Sequence, residues 1–176
     1  PRPNGGFFCI DRTEVTNAQY AEFVAAGDTA EQPASCSFNT TFAPETSTDC
    51  PSLRYDPTGL ARYAGSCVDW CDAYAFCAWA QKRLCGDLAG GPVATESFAD
   101  ATRDQWYAAC TGGGETAFPY GDTYEGARCV DQHYPVVYPA ETADAPGCEG
   151  LDAYANVFDQ SGNVSAVTEE HERPRP

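Results

Sequence analysis

Lysine occurs once, at Lys82, and the longest apolar stretch, Ala73 to Ala80, falls far short of the roughly 20 residues that a membrane-spanning helix needs. No membrane insertion is expected. The ten Lys and Arg stand against 26 Asp and Glu, a formal net charge of -16, and a surface this negative repels phosphate backbones and anionic headgroups. Nucleic acid and acidic lipid are therefore not expected as partners, and the acid excess is read as solubility in a salty medium or a GC-rich genome ahead of a binding role, with a cation the one partner that charge suggests. No CxxC is followed by a second CxxC or an HxxxH, so a zinc site is not expected. The glycines at 112–114 lack the Lys-Ser/Thr pair of a phosphate loop. The chain begins at Pro1 without methionine or a signal-peptide pattern, so an export signal is expected to have been removed or to lie outside it.

Ten cysteines are present, at 9, 36, 50, 67, 71, 77, 85, 110, 129 and 148, and so many thiols belong where they can oxidise. This places the protein outside the cytosol: secreted, periplasmic or on a cell surface. With 43% hydrophobic residues the chain can bury enough apolar surface to fold, and its length fits one domain spanning 1–176. Thr16 with Gln19 forms a capping box for a first helix that buries Tyr20, Phe23 and Val24 and ends at Gly27. Asp69 caps a second helix running through Trp70, Phe76, Cys77 and Ala80. Thr102 with Gln105 opens a third, ending at Cys110. The stretch 28–65 has no period; Cys36 and Cys50 are expected to staple it locally. Cys71 and Cys77, six apart on a helix, must each find a distant partner, and Cys129 with Cys148 is read as a loop bridge. Phe7 to Asp11 and Tyr134 to Tyr138 are the strand candidates, which makes the fold class α+β, helices first and irregular β structure after.

Four motifs share one resemblance. Cys9-Ile10-Asp11-Arg12-Thr13-Glu14-Val15-Thr16-Asn17-Ala18-Gln19-Tyr20 resembles the opening signature of the formylglycine-generating enzyme, or sulfatase-modifying factor, family. Val68-Asp69-Trp70 through Cys77 to Lys82-Arg83-Leu84 is similar to its central helix and turn, and Thr102 to Ala109 with Phe118-Pro119-Tyr120-Gly121-Asp122 to its third helix and following loop. Asn156 to Val164 resembles its late calcium loop. The resemblance implies an irregular C-type-lectin-like fold, a secreted bacterial type, and an activity that uses copper and oxygen to oxidise a sulfatase cysteine to formylglycine.

The catalytic cysteine pair of that family follows the calcium loop, and Pro176 comes before any such segment. The expectation is a domain that is not catalytic in this form and serves as a binding or scaffold module for a protein, peptide or glycan. The alternative is an oxidase whose cysteines lie beyond residue 176, and copper enters only with that segment. The resemblance places weak calcium at Asp159, Gly162 and Val164, weak because Ala166 stands where the family has a glutamate. Asp159 and Asn163 equally fit a tight turn without metal. His133 beside Asp131 is read as a solvated loop histidine, and Trp70, Trp79 and Trp106 as core. Asn39 and Asn163 fit the glycosylation pattern.

Overall fold

The computed structural model describes residues 7–27, 32–45, 55–135 and 139–169. Helix α1, Asn17–Ala26, begins with the reciprocal capping box expected: the Thr16 hydroxyl accepts from Gln19 N, and the Gln19 side chain accepts from Thr16 N. It closes on Gly27 at φ 60°, a left-handed position where a Cβ would be strained. Helix α2, Trp70–Trp79, is capped by Asp69 with Asp72 completing the box. The two helices pack through aromatic rings, Tyr20 stacked on Phe76 at 5.6 Å and Phe23 edge-on to Phe76 at 5.8 Å between centroids. Tyr20 donates its hydroxyl to Phe42 O at 2.9 Å, so the stretch 32–45 is drawn over the pair.

Helix α3, Gln105–Cys110, starts later than the sequence suggests. Asp104, not Thr102, is the N-cap, accepting from Tyr107 N at 2.7 Å. Thr102 is held by Asp100 instead, and the Gln105 side chain accepts from Gly86 N at 3.1 Å, so neither is available for a capping box. Arg103 grips the buried Asp87 through two nitrogens, at 2.6 and 2.9 Å, fixing the turn 86–93 beneath the helix. Ala108 and Ala109 of α3 form a second core with Tyr154 and Val157, against which Phe8 and Ile10 pack. A third core gathers Tyr120, Val130 and Ala145 around the Cys129–Cys148 bridge.

Of the expected α+β class the helices are present, and the β half is not seen as regular strands among the described residues. Among the described residues extended pairing is reduced to isolated bridges such as Thr16 with Ala64 and Cys85 with Thr168. The segment 7–11 is irregular: Phe8 and Ile10 pack on the α3 core, but its backbone enters no bridge with another described segment. Of the other strand candidate, residues 136–138 lie outside the described residues. The result is an irregular fold stapled by disulfides.

The staples differ from the expected ones in two respects. Cys36 pairs with Cys71 at a Cα separation of 5.7 Å and not with Cys50, because α2 turns Cys71 inward toward the 3-10 turn Ala34–Cys36. Cys50 lies outside the described residues. The Cys129–Cys148 bridge is as expected, and Cys67 is also disulfide-bonded. Cys77 finds no distant partner: with Cys9, Cys85 and Cys110 it is a free thiol.

A cleft with a buried carboxyl pair as candidate functional site

Four segments converge to make the site. Phe158 N donates to Arg12 O at 2.7 Å, joining the late loop to the stretch before α1. Glu169 N donates to Cys85 O at 2.6 Å and Trp70 Nε1 to Thr168 O at 3.0 Å, carrying the end of that loop across α2 and the turn 81–85. Between them lies an open cleft of about 990 Å3, with Phe8, Ile10, Phe76, Leu84 and Trp106 among its apolar walls.

Three of the free thiols, Cys9, Cys77 and Cys85, line this cleft. Burial pushes the Cys77 thiol up to about 11, and the Asp11 carboxylate adds to the shift. Burial does the same to Cys85, also about 11, against the opposing pull of Arg83. Both are neutral thiols at physiological pH, and a neutral thiol is a poor nucleophile. Cys110 is likewise protonated by burial and donates to Gln160 O at 3.3 Å. Lys82, the only lysine, is bound to Asp11 through both carboxylate oxygens at 2.7 and 2.8 Å, half exposed.

The second polar feature of the cleft is a residue pair that sequence reasoning did not single out. Glu14 and Asp159 both line it, and their carboxyl groups lie within hydrogen-bonding reach of each other. Each is anchored by one oxygen: Glu14 Oε1 accepts from Asn163 Nδ2 at 3.0 Å, and Asp159 Oδ2 accepts from Ala143 N. The remaining oxygens, Glu14 Oε2 and Asp159 Oδ1, are buried and have no donor. Two ionised carboxylates in that arrangement repel, so a proton held between them is what makes the contact attractive. Burial first, and the neighbouring Asp159 second, push Glu14 from the usual 4.5 to about 8; burial raises Asp159 as well.

Asn163 holds the arrangement together. It has no exposed surface, donates to Glu14, and accepts from Ala140 N at 3.0 Å. Asp159, Gly162 and Asn163 all have positive φ, at 59°, 104° and 55°, which winds the loop tightly. At Gly162 a Cβ would stand 2.4 Å from Val130 O, so only glycine permits the approach that lets Asn163 N reach that carbonyl at 2.9 Å.

The pair has a consequence for pH. Between about 4.5 and about 8 the folded chain keeps a proton that the unfolded chain has released. The contribution of Glu14 to stability is therefore whole below the lower value and is lost as pH climbs through the upper one, by at most ~1.4 kcal/mol per pH unit. Glu14→Gln removes the titrating group and is expected to flatten the slope. Urea midpoints measured across this window for both proteins check it; equal slopes would show that the pair is not the source.

Residues 6–175 match the profile of the sulfatase-modifying factor enzyme 1-like domain. The chain belongs to that family. No curated protein and no solved structure matches it. For a sulfatase-modifying factor domain the fit of the two metals implied by the family can be tested on the residues present. Copper would be held by thiolates, and burial pushes the Cys77 and Cys85 thiols up to about 11, so a copper ion held there would have to displace their protons. At the calcium loop, Asp159 offers one open carboxylate oxygen, while Ala166 and its neighbours Ser165 and Val167 are exposed and bring no carboxylate.

The other residues named from sequence fall as follows. Trp70, Trp79 and Trp106 are half-buried: Trp79 packs on the core between α1 and α2 as expected, while Trp106 faces the cleft. His133 is not simply solvated, since its Nδ1 lies 2.9 Å from the Tyr124 hydroxyl, which itself donates to Asp131 at 2.6 Å. Asn163 is buried and closed to glycosylation; Asn39 donates to Asp72 at 2.8 Å.

Proposed function

We propose that this sulfatase-modifying factor domain is an exported binding or scaffold module whose cleft takes a segment of a partner protein or peptide. The observation that carries the reading is a large apolar cleft whose buried thiols, Cys77 and Cys85, are held neutral. Such a surface can bury a partner chain, while it lacks the activated nucleophile that chemistry on that partner would need. The disulfides favour an oxidising compartment, and the acidic surface disfavours nucleic acid. Weak calcium at Asp159, Gly162 and Val164 and the C-type-lectin-like fold belong to the same reading.

A second reading is favoured by the thiols themselves. Family members are formylglycine-generating enzymes, and Cys9, Cys77 and Cys85 share one cleft. In that reading the domain, with a catalytic segment beyond residue 176, is a copper- and oxygen-dependent oxidase.

One experiment tests whether the cleft thiols of this chain are themselves enough for the oxidase. The protein is alkylated under denaturing, non-reducing conditions and mapped by mass, and a sulfatase-derived cysteine peptide is incubated with the native protein, copper and oxygen. Alkylation of Cys9, Cys77, Cys85 and Cys110 with an unchanged peptide is the expected result. Conversion of the peptide cysteine to an aldehyde would replace the binding reading with the oxidase.

A further inference from the structure

We propose that Cys9 and Cys85 form a covalent modification site in the wall of the cleft, where an external small-molecule disulfide oxidises the two thiols to one reversible bridge. The inference does not depend on what the cleft takes, because the bridge is read in the free protein.

Three observations carry it. First, Cys9 and Cys85 are both free and both line the cleft, Cys9 exposed and Cys85 half-buried. Second, their segments are drawn together from two sides. Asp11 binds Lys82 through both carboxylate oxygens at 2.7 and 2.8 Å, which ties the stretch that carries Cys9 to the turn that carries Cys85. Both segments also rest on α3: Phe8 and Ile10 pack on the core around Ala108 and Ala109, while Gly86 N donates to the Gln105 side chain and Gln105 N to Gly86 O. Third, one of the two segments can adjust. A disulfide needs Cα atoms roughly 4.4–6.8 Å apart. The backbone of 7–11 enters no bridge with another described segment, and the first backbone tie to the late loop is at Arg12 O, so Cys9 can move to Cys85 while Cys85 stays paired with Thr168. The other free thiols are engaged elsewhere: Cys77 packs against the aromatic cluster of α1 and α2, and Cys110 donates to Gln160 O at 3.3 Å.

Exposure sets the order of the two steps. The sulfur of Cys9, as thiolate, attacks one sulfur of the external disulfide, whose sulfur-sulfur bond breaks and releases one thiolate. Cys85 then gives its proton to water, and its sulfur attacks that of Cys9. The bond between Cys9 and the external sulfur breaks, and the second external thiolate leaves. Two protein thiols are oxidised and one external disulfide is reduced to two thiols. Burial holds the Cys85 thiol neutral, so it is slow toward an oxidant in solution and reacts once the mixed disulfide stands beside it. The product is a covalent tie next to a half-exposed ion pair.

The test is incubation of the native whole chain with glutathione disulfide at mildly alkaline pH, an acid quench, alkylation under denaturing, non-reducing conditions, and peptide mapping by mass. The expected result is that Cys9 and Cys85 escape alkylation, that their peptides are joined with no glutathione retained, and that excess reduced glutathione restores both thiols. Cys85→Ser is expected to stop after the first step, with one glutathione held on Cys9. Cys9→Ser is expected to leave Cys85 open to alkylation, and Cys77→Ser to form the bridge as the wild type does. A link from Cys77 to either thiol, a lasting glutathione adduct on Cys9 of the wild type, or four thiols still alkylated after exposure would each overturn the proposal.

Discussion

Asn163→Ala is expected to lose about 3–5 kcal/mol of stability, since it orphans two buried groups at roughly 1–3 kcal/mol each and leaves a void. The groups are Ala140 N and Glu14 Oε1, each 3.0 Å from the amide that the substitution deletes. Alanine also tolerates φ 55° less well than asparagine. Against a total of about 5–15 kcal/mol for an ordinary domain, that loss brings the fold near its limit. Asn163→Asp separates the two roles. An aspartate can still accept from Ala140 N, yet it brings a third carboxylate beside Glu14 and Asp159, so its deficit should grow with pH while that of the alanine variant does not. Urea unfolding checks both; a loss under about 1 kcal/mol for alanine would mean that the loop does not depend on this residue.

Removing the Cys36–Cys71 bridge as an alanine pair is expected to cost about 3–4 kcal/mol, from the chain entropy released over a separation of 35 residues. Removing Cys129–Cys148, with a separation of 19, should cost about 3 kcal/mol on the same account. The first bridge has a further burden. It ties the turn Ala34–Cys36 to α2, and nearby Phe42 both packs on Phe23 at 5.0 Å and accepts from Tyr20. The aromatic cluster between α1 and α2 should therefore loosen with it, and near-ultraviolet circular dichroism should weaken. Melting in strong reductant at an unchanged temperature would show that the bridges add nothing to stability.

What could be read from the residues was local. The capping box at Thr16 and Gln19, the stop at Gly27 and the Asp69 cap depend on neighbours three or so positions away, and each is present. The third helix shows where that logic ends. Thr102 and Gln105 have the capping spacing, but Asp100 and Gly86, brought close by the Arg103–Asp87 contact, claim their side chains first. The Cys36 partner was hidden for the same reason, because which way Cys71 points depends on how α2 lies against the turn 34–36. Glu14 stood in the most recognisable motif of the chain, yet nothing local says that a glutamate between Thr13 and Val15 will be enclosed. The nearest signal was the pairing of that motif with Asp159 and Asn163 in the other well-matched stretch.

The near absence of strand ladders among the described residues has a consequence for how the molecule opens. In a sheet, a broken amide contact is backed by the next rung, so fraying is graded. Here the long-range backbone contacts come in groups of one to three: Gly65 N to Val15 O with Asn17 N to Tyr63 O and Ala18 N to Ala61 O, Gln105 N to Gly86 O with Leu88 N to Arg103 O, Asn163 N to Val130 O. Each group is a short knot, and release of one frees a whole loop rather than a single residue. Local opening in such a chain is coarse-grained, and the segments around the cleft, which meet through these knots, are the ones that would come apart together.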